Sequence, residues 1–238
     1  VLLTFIYSIA LFFVVCFWLS VAYLVFRPSI SYTVGARDTY AVLIFYFSLL
    51  IAMKVKIFAK YKIRPFDFFV VRPHVKEDIL YGIAMYFKFF LGIVGAVILI
   101  FLVASMWDMI FKTRVLQEVG IFMTASQLER LGTQERAAGI TGVCLLFFFA
   151  PFFEELFFRG CLYRALRARW GYLWAVLVSS FVFSLLHGYF FLFLYVFIVG
   201  IILAFMYEKR GSLVAPLAFH MTNNLAVILF VATSYKLR

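Results

Sequence analysis

The sequence predicts an all-α, polytopic membrane protein of about seven transmembrane helices, with a polar active-site cavity formed by the last four. Three observations predict it. Of the 238 residues, 66% are hydrophobic and only 14% are charged, with a mean hydropathy of +1.06. That is more apolar surface than a water-soluble domain can hide. Apolar stretches also recur at the length of about 20 residues that crosses a hydrocarbon core. Finally, the polar residues inside those stretches crowd into the second half of the chain.

The spans fall at residues 2–26, 40–58, 79–107, 139–166, 172–187, 189–207 and 213–235. The first is too long for a signal-peptide core and shows no A-x-A cleavage site, so it reads as a retained span. The fifth is short, and its joint with the sixth at His187-Gly188-Tyr189 is tight, so one of these two helices is bent or crosses only in part. Between the third and fourth lies a stretch of mixed charge, with Ser126 and Glu129 spaced as a capping box. It reads as an amphipathic segment along the interface. The organisation is a single transmembrane domain over 1–238: scaffold helices at 1–107, the interfacial segment at 108–138, and the helices that carry the site at 139–235.

The net charge of +11 raises the question of nucleic acid, and its distribution answers it. Lys54, Lys56, Lys60, Lys62, Arg64, Arg72 and Lys76 surround the connection between spans two and three. Arg164, Arg167 and Arg169, then Lys209 and Arg210, fill the next connections on the same side. The opposite side has Arg27, Arg37, a balanced stretch and the terminal Lys236 and Arg238. Cationic loops mark the cytoplasmic face, which puts the amino terminus inside and the carboxyl terminus outside. The positive charge is topology and lipid-headgroup contact, and no nucleic-acid partner is expected. Cys16, Cys144 and Cys161 are scattered among the spans and form neither a disulfide framework nor a structural zinc pattern. They read as small apolar residues.

A charge placed at mid-bilayer costs at least a few kcal/mol, so intramembrane polar residues carry most of the information. Lys88 in the third span snorkels towards the interface. From the fourth span onward the sequence places Glu154, Glu155, Arg159, Ser179, Ser180, Ser184, His187, His220, Asn223 and Asn224. The stretch PFFEELFFRG, 151–160, sets three charges among phenylalanines. On a helix Glu155 and Arg159 are i,i+4 and share a face, while Glu154 points about 100° away. Glu155 and Arg159 can therefore neutralise each other locally, which leaves Glu154 available as a general base. His187 closes the fifth span in FSLLH, one turn after Phe183, and Asn224 lies one turn after His220 in HMTNN. His74 sits in the basic connection and reads as solvated.

A count along the chain brings these groups together. If spans four and five form a hairpin that turns at Trp170-Gly171, Glu154 and His187 are level, roughly 24 Å from the turn at 1.5 Å per residue. His220 and Asn224 enter on a helix from the same side and can reach a similar depth. Three helices thus bring a carboxylate, two imidazoles and a carboxamide towards one water-accessible pocket below the cytoplasmic surface.

The strings EELFFR, FSLLH and HMTNN resemble the E-E-x-x-x-R, F-x-x-x-H and H-x-x-x-N motifs of the CAAX-processing and bacteriocin-processing intramembrane proteases. That family includes the Ras-converting type of CAAX endopeptidase. The resemblance covers about residues 139–229 and does not extend to the first three spans. It implies an endopeptidase that hydrolyses a peptide bond of a membrane-anchored, lipid-modified or transmembrane substrate, within or beside the bilayer. By that similarity Glu154 and His187 activate water, and His220 and Asn224 form an oxyanion hole. Glu155 and Arg159 support the helix and orient Glu154. No cofactor is expected. Zinc is the alternative, since one Glu and two His suit a catalytic zinc in ligand type, but Asn224 makes more sense as an oxyanion donor. The expected location is a cell membrane in a prokaryote or the endoplasmic reticulum in a eukaryote. The alternative function is a catalytically silent membrane scaffold or chaperone of the same fold that binds a partner membrane protein. A proton-coupled transporter would spread its polar groups over both halves of the chain, which this sequence does not do.

Overall fold

A computed structural model describes residue 51 and residues 74–113, 145–187 and 192–236. The spans expected at 2–26 and 40–58, most of the 108–138 segment and the Gly188-Tyr189 joint lie outside the described residues. Every described element is helical: α1 (Val75–Phe111), π1 (Leu145–Phe149), α2 (Ala150–Glu155), π2 (Leu156–Tyr163), α3 (Arg164–Leu186), α4 (Phe193–Arg210) and α5 (Val214–Lys236). Two helical stretches, Val75–Phe111 and Phe147–Leu186, are long and apolar enough to cross a membrane, and 214–230 forms a shorter apolar helix.

The third expected span is α1. At 37 residues it is about 56 Å long, well beyond a hydrocarbon core of about 30 Å. Glu77 and Asp78 lie in its first turn, where acidic groups suit the helix dipole. Its buried stripe, Asp78, Gly82 and Tyr86, follows the i,i+4 spacing and faces α5. Gly82 is required there, because a Cβ would run into the Ala215 carbonyl and the Ala218 side chain. Small residues at crossings are how membrane helices approach closely. Beyond Tyr86 the helix is largely exposed and apolar, with Leu91, Val97, Leu99, Ile100 and Phe101 on its surface. Lys88 is exposed as well.

From Leu145 to Trp170 the backbone is continuously helical, but its first part is unusual. Pro151 has no N–H to donate back, and the turn before it widens into π1. A second wide stretch, π2, follows Glu155. Single-turn π segments concentrate at functional sites, and here the two glutamates lie between a pair of them.

The turn expected at Trp170-Gly171 is present. Gly171 has φ 81° and ψ −178°, a conformation closed to residues with a side chain. It breaks α3 into a short continuation of the preceding helix and a returning helix. The rings of Phe158 and Phe183 lie 4.9 Å apart. On one straight helix they would be about 37 Å apart, so Phe147–Leu186 is a hairpin. The pairs Phe158–Phe183 and Glu154–His187 sum to the same residue number, as an antiparallel hairpin centred between Trp170 and Gly171 requires.

The return helix packs closely on α4. A Cβ on Gly200 would come within 2.9 Å of the Ser180 Cβ, and Ser184 Oγ donates to the Phe193 carbonyl at 2.5 Å. Helix α4 ends at Lys209 and Arg210 with Gly211 as a left-handed cap (φ 64°), whose N–H donates to the Tyr207 carbonyl at 2.8 Å. Charged groups cluster at this end of the bundle. Arg210 pairs with the buried Asp78 and lies over the Tyr81 ring. Glu208 accepts from Tyr163 Oη at 2.7 Å and Arg167 Nε at 2.9 Å.

Candidate active site

The structure brings Glu154, Glu155, Arg159, His187 and His220 into one cluster drawn from three helical segments. Glu155 and Arg159 pair as their spacing predicts, Arg159 Nη1 donating to Glu155 Oε1 at 3.0 Å. The π geometry of Leu156–Tyr163 does not prevent it. Both side chains are fully buried, at 0% and 1% exposure. The guanidinium is held further by the Gly200 carbonyl at 3.2 Å and by the face of Phe183, 4.6 Å from the ring centroid. Because residue 200 is a glycine, α4 comes close enough to offer that carbonyl.

Glu155 has a second partner that its sequence spacing does not show. Its Oε1 also accepts from His220 Nδ1 at 2.8 Å, across to α5. One carboxylate oxygen therefore ties Arg159 on its own helix to an imidazole on another. The i,i+4 rule reads one helix, and this bond joins two, so spacing alone shows only the pair with Arg159.

Glu154 faces the histidines. Its Oε2 is 3.9 Å from His187 Nε2 and 3.7 Å from His220 Nε2. His187 Nδ1 is 2.8 Å from the Phe183 carbonyl, an acceptor only, so Nδ1 carries the proton of that bond. His220 Nδ1 donates to a carboxylate by the same logic. Both rings thereby present Nε2 to Glu154. Phe183 keeps them in place: its ring lies 4.5 Å from that of His187 and 5.8 Å, edge on, from that of His220.

Asn224, one turn beyond His220, is half-buried, and its Oδ1 lies 3.5 Å from Asn223 Nδ2. Asn223 is buried and accepts from Tyr195 Oη on α4 at 2.5 Å. Tyr195 had no sequence signal, since it sits in the apolar run FLYVF with no periodic polar partner. Asn223 was visible only as one more intramembrane amide. The cluster is graded in exposure: the His187 side chain is 31% exposed, Glu154 15% and His220 5%.

Residues 136–226 match the family described as type II CAAX prenyl endopeptidase, Rce1-like. This stretch is therefore similar to an Rce1-like domain over somewhat more than a third of the chain. It takes in all six expected site residues, from Glu154 to Asn224, together with Tyr195 and Asn223. No curated protein and no solved structure matches the chain. The Rce1-like match and the two long apolar helices point to a membrane protein.

Proposed function

We propose that the chain is an intramembrane endopeptidase that cleaves a peptide bond near the end of a membrane-anchored, prenylated or otherwise lipid-modified protein. The observation that carries this reading is the position of Glu154 Oε2, within 3.9 Å of His187 Nε2 and 3.7 Å of His220 Nε2, inside an otherwise apolar bundle. These separations exceed a direct hydrogen bond and suit groups that act on one water molecule.

In this mechanism Glu154 and His187 hold the water, and Glu154 removes its proton as the oxygen attacks the scissile carbonyl. The carbonyl oxygen becomes an oxyanion, stabilised by His220 and Asn224. With Nδ1 committed to Glu155, His220 offers its Nε2 side to the oxyanion. Collapse of the tetrahedral intermediate breaks the C–N bond, and the proton on Glu154 passes to the departing amine. Glu155 and Arg159 hold His220 and the Glu154 helix in place.

A zinc centre fits the side chains less well. One Glu and two His suit zinc in ligand type, but Asn224 is an unusual zinc ligand and suits an oxyanion donor better, so the proposed mechanism uses no metal.

The test is cleavage of a farnesylated CAAX-type peptide by the full chain in proteoliposomes, wild type against Glu154→Gln. The glutamine keeps the shape and loses the base, so kcat should fall by at least about a hundredfold with unchanged folding, and a zinc chelator should leave the wild type active. Equal cleavage by both proteins would remove Glu154 from the reaction. Partner binding without cleavage by the wild type would favour the silent scaffold.

A further inference from the structure

We propose that Tyr195 and Asn223 are positioning residues that set the orientation of the Asn224 carboxamide, so that its NH2 group faces the oxyanion. The inference rests on the reading of Asn224 as an oxyanion donor. It concerns a problem that reading leaves open: an amide has an acceptor end and a donor end, and only the donor end stabilises negative charge.

The observations form a relay. Tyr195 Oη donates to Asn223 Oδ1 at 2.5 Å. That bond commits the oxygen of Asn223 to α4 and turns its Nδ2 towards Asn224. Asn223 Nδ2 then meets Asn224 Oδ1 at 3.5 Å, a long contact. With its oxygen drawn to Asn223, Asn224 carries its NH2 at the opposite end of the planar amide, pointing away from Asn223. The opposite polarity would point Asn223 Oδ1 at Asn224 and draw away the donors that catalysis needs. The tyrosine hydroxyl therefore selects one of two amide arrangements.

Tyr195 is itself held in place. Its ring packs 5.7 Å from Phe89 of α1, and Phe89 lies 5.8 Å from Phe219, the residue before His220. One phenylalanine from the scaffold helix thus braces both the start of the relay and the neighbour of His220. A phenylalanine at 195 would fill the same space, so packing alone does not explain the hydroxyl.

The experiment compares the full chain in proteoliposomes as wild type, Tyr195→Phe, Asn224→Ala and the double variant, with the farnesylated peptide as probe. Loss of an oxyanion donor costs about a hundred- to a thousandfold in kcat, which is the expectation for Asn224→Ala. Tyr195→Phe should lose about ten- to a hundredfold in kcat, with KM within about twofold and an unfolding temperature lowered by no more than a few degrees, as the loss of one hydrogen bond requires. The double variant should be no slower than Asn224→Ala, because Tyr195 acts through Asn224. An unfolding temperature lowered by more than that, with additive losses, would show a structural role and overturn the inference. So would wild-type kcat in Tyr195→Phe alongside a crippled Asn224→Ala. Full activity in Asn224→Ala would instead overturn the oxyanion reading itself. A readout independent of cleavage is the coupling between Tyr195→Phe and Asn223→Ala in unfolding, and its absence would show that the first bond of the relay does not exist.

Discussion

Truncating Glu155 to alanine removes both bonds to its Oε1 at once, Arg159 Nη1 at 3.0 Å and His220 Nδ1 at 2.8 Å. The guanidinium then stays buried at 1% exposure with the Gly200 carbonyl at 3.2 Å and the Phe183 face at 4.6 Å. Breaking a buried ion pair on one side costs about 3–5 kcal/mol, mostly from the charge left behind. The retained carbonyl and ring contacts offset part of that, since a desolvated cation–π contact contributes about 2 kcal/mol. A loss near 3 kcal/mol follows, about a hundredfold in the folding equilibrium at 1.4 kcal/mol per factor of ten. Helical circular dichroism through a dodecyl sulfate titration in mixed micelles measures it. Glu155→Leu combined with Arg159→Leu should recover most of the stability, because no charge is stranded. It should not recover cleavage, because His220 still lacks its Nδ1 partner. If Glu155→Ala unfolds within about 0.5 kcal/mol of wild type, the range of an ordinary surface change, the buried pair is not what holds these helices together.

Two glycine substitutions probe the scaffold of the site. Gly171→Ala should cost about 1–3 kcal/mol from backbone strain alone, since open space surrounds the position, and Gly171→Asn should do no better because its ψ of −178° lies outside the left-handed helical well. Gly200→Ala sets a Cβ 2.9 Å from that of Ser180 and should cost about 1–3 kcal/mol in the same titration, with recovery by Ser180→Gly. If Ser180→Gly does not rescue it, the close crossing of α3 and α4 is not the cause.

The sequence was most legible where geometry is local. Gly171 marks the turn, 1.5 Å per residue sets the depth, and together they put Glu154 opposite His187, where the structure has them. The pairing of Glu155 with Arg159 is equally local. What the sequence withheld depends on how helices rotate against one another. The bond from Glu155 to His220 and the bond from Tyr195 to Asn223 both cross between helices far apart in the chain. Periodicity places such groups on a face without saying which face meets which. The π segments around the two glutamates were also hidden, because Pro151 signals a disturbed turn but not its form.

The graded exposure of the cluster, from His187 at 31% through Glu154 at 15% to Glu155 at 0%, gives it a front and a back. In the proposed reaction, the front is where a reactant and its water would arrive. At the back, Arg159 and Glu155 sit where the local dielectric is low and their fields are little screened. On that reading, charge developing on a reactant would be felt most strongly from behind, by partners held in hydrogen bonds, while traffic passes on the other side. One helix, through two adjacent residues, supplies both faces of that arrangement.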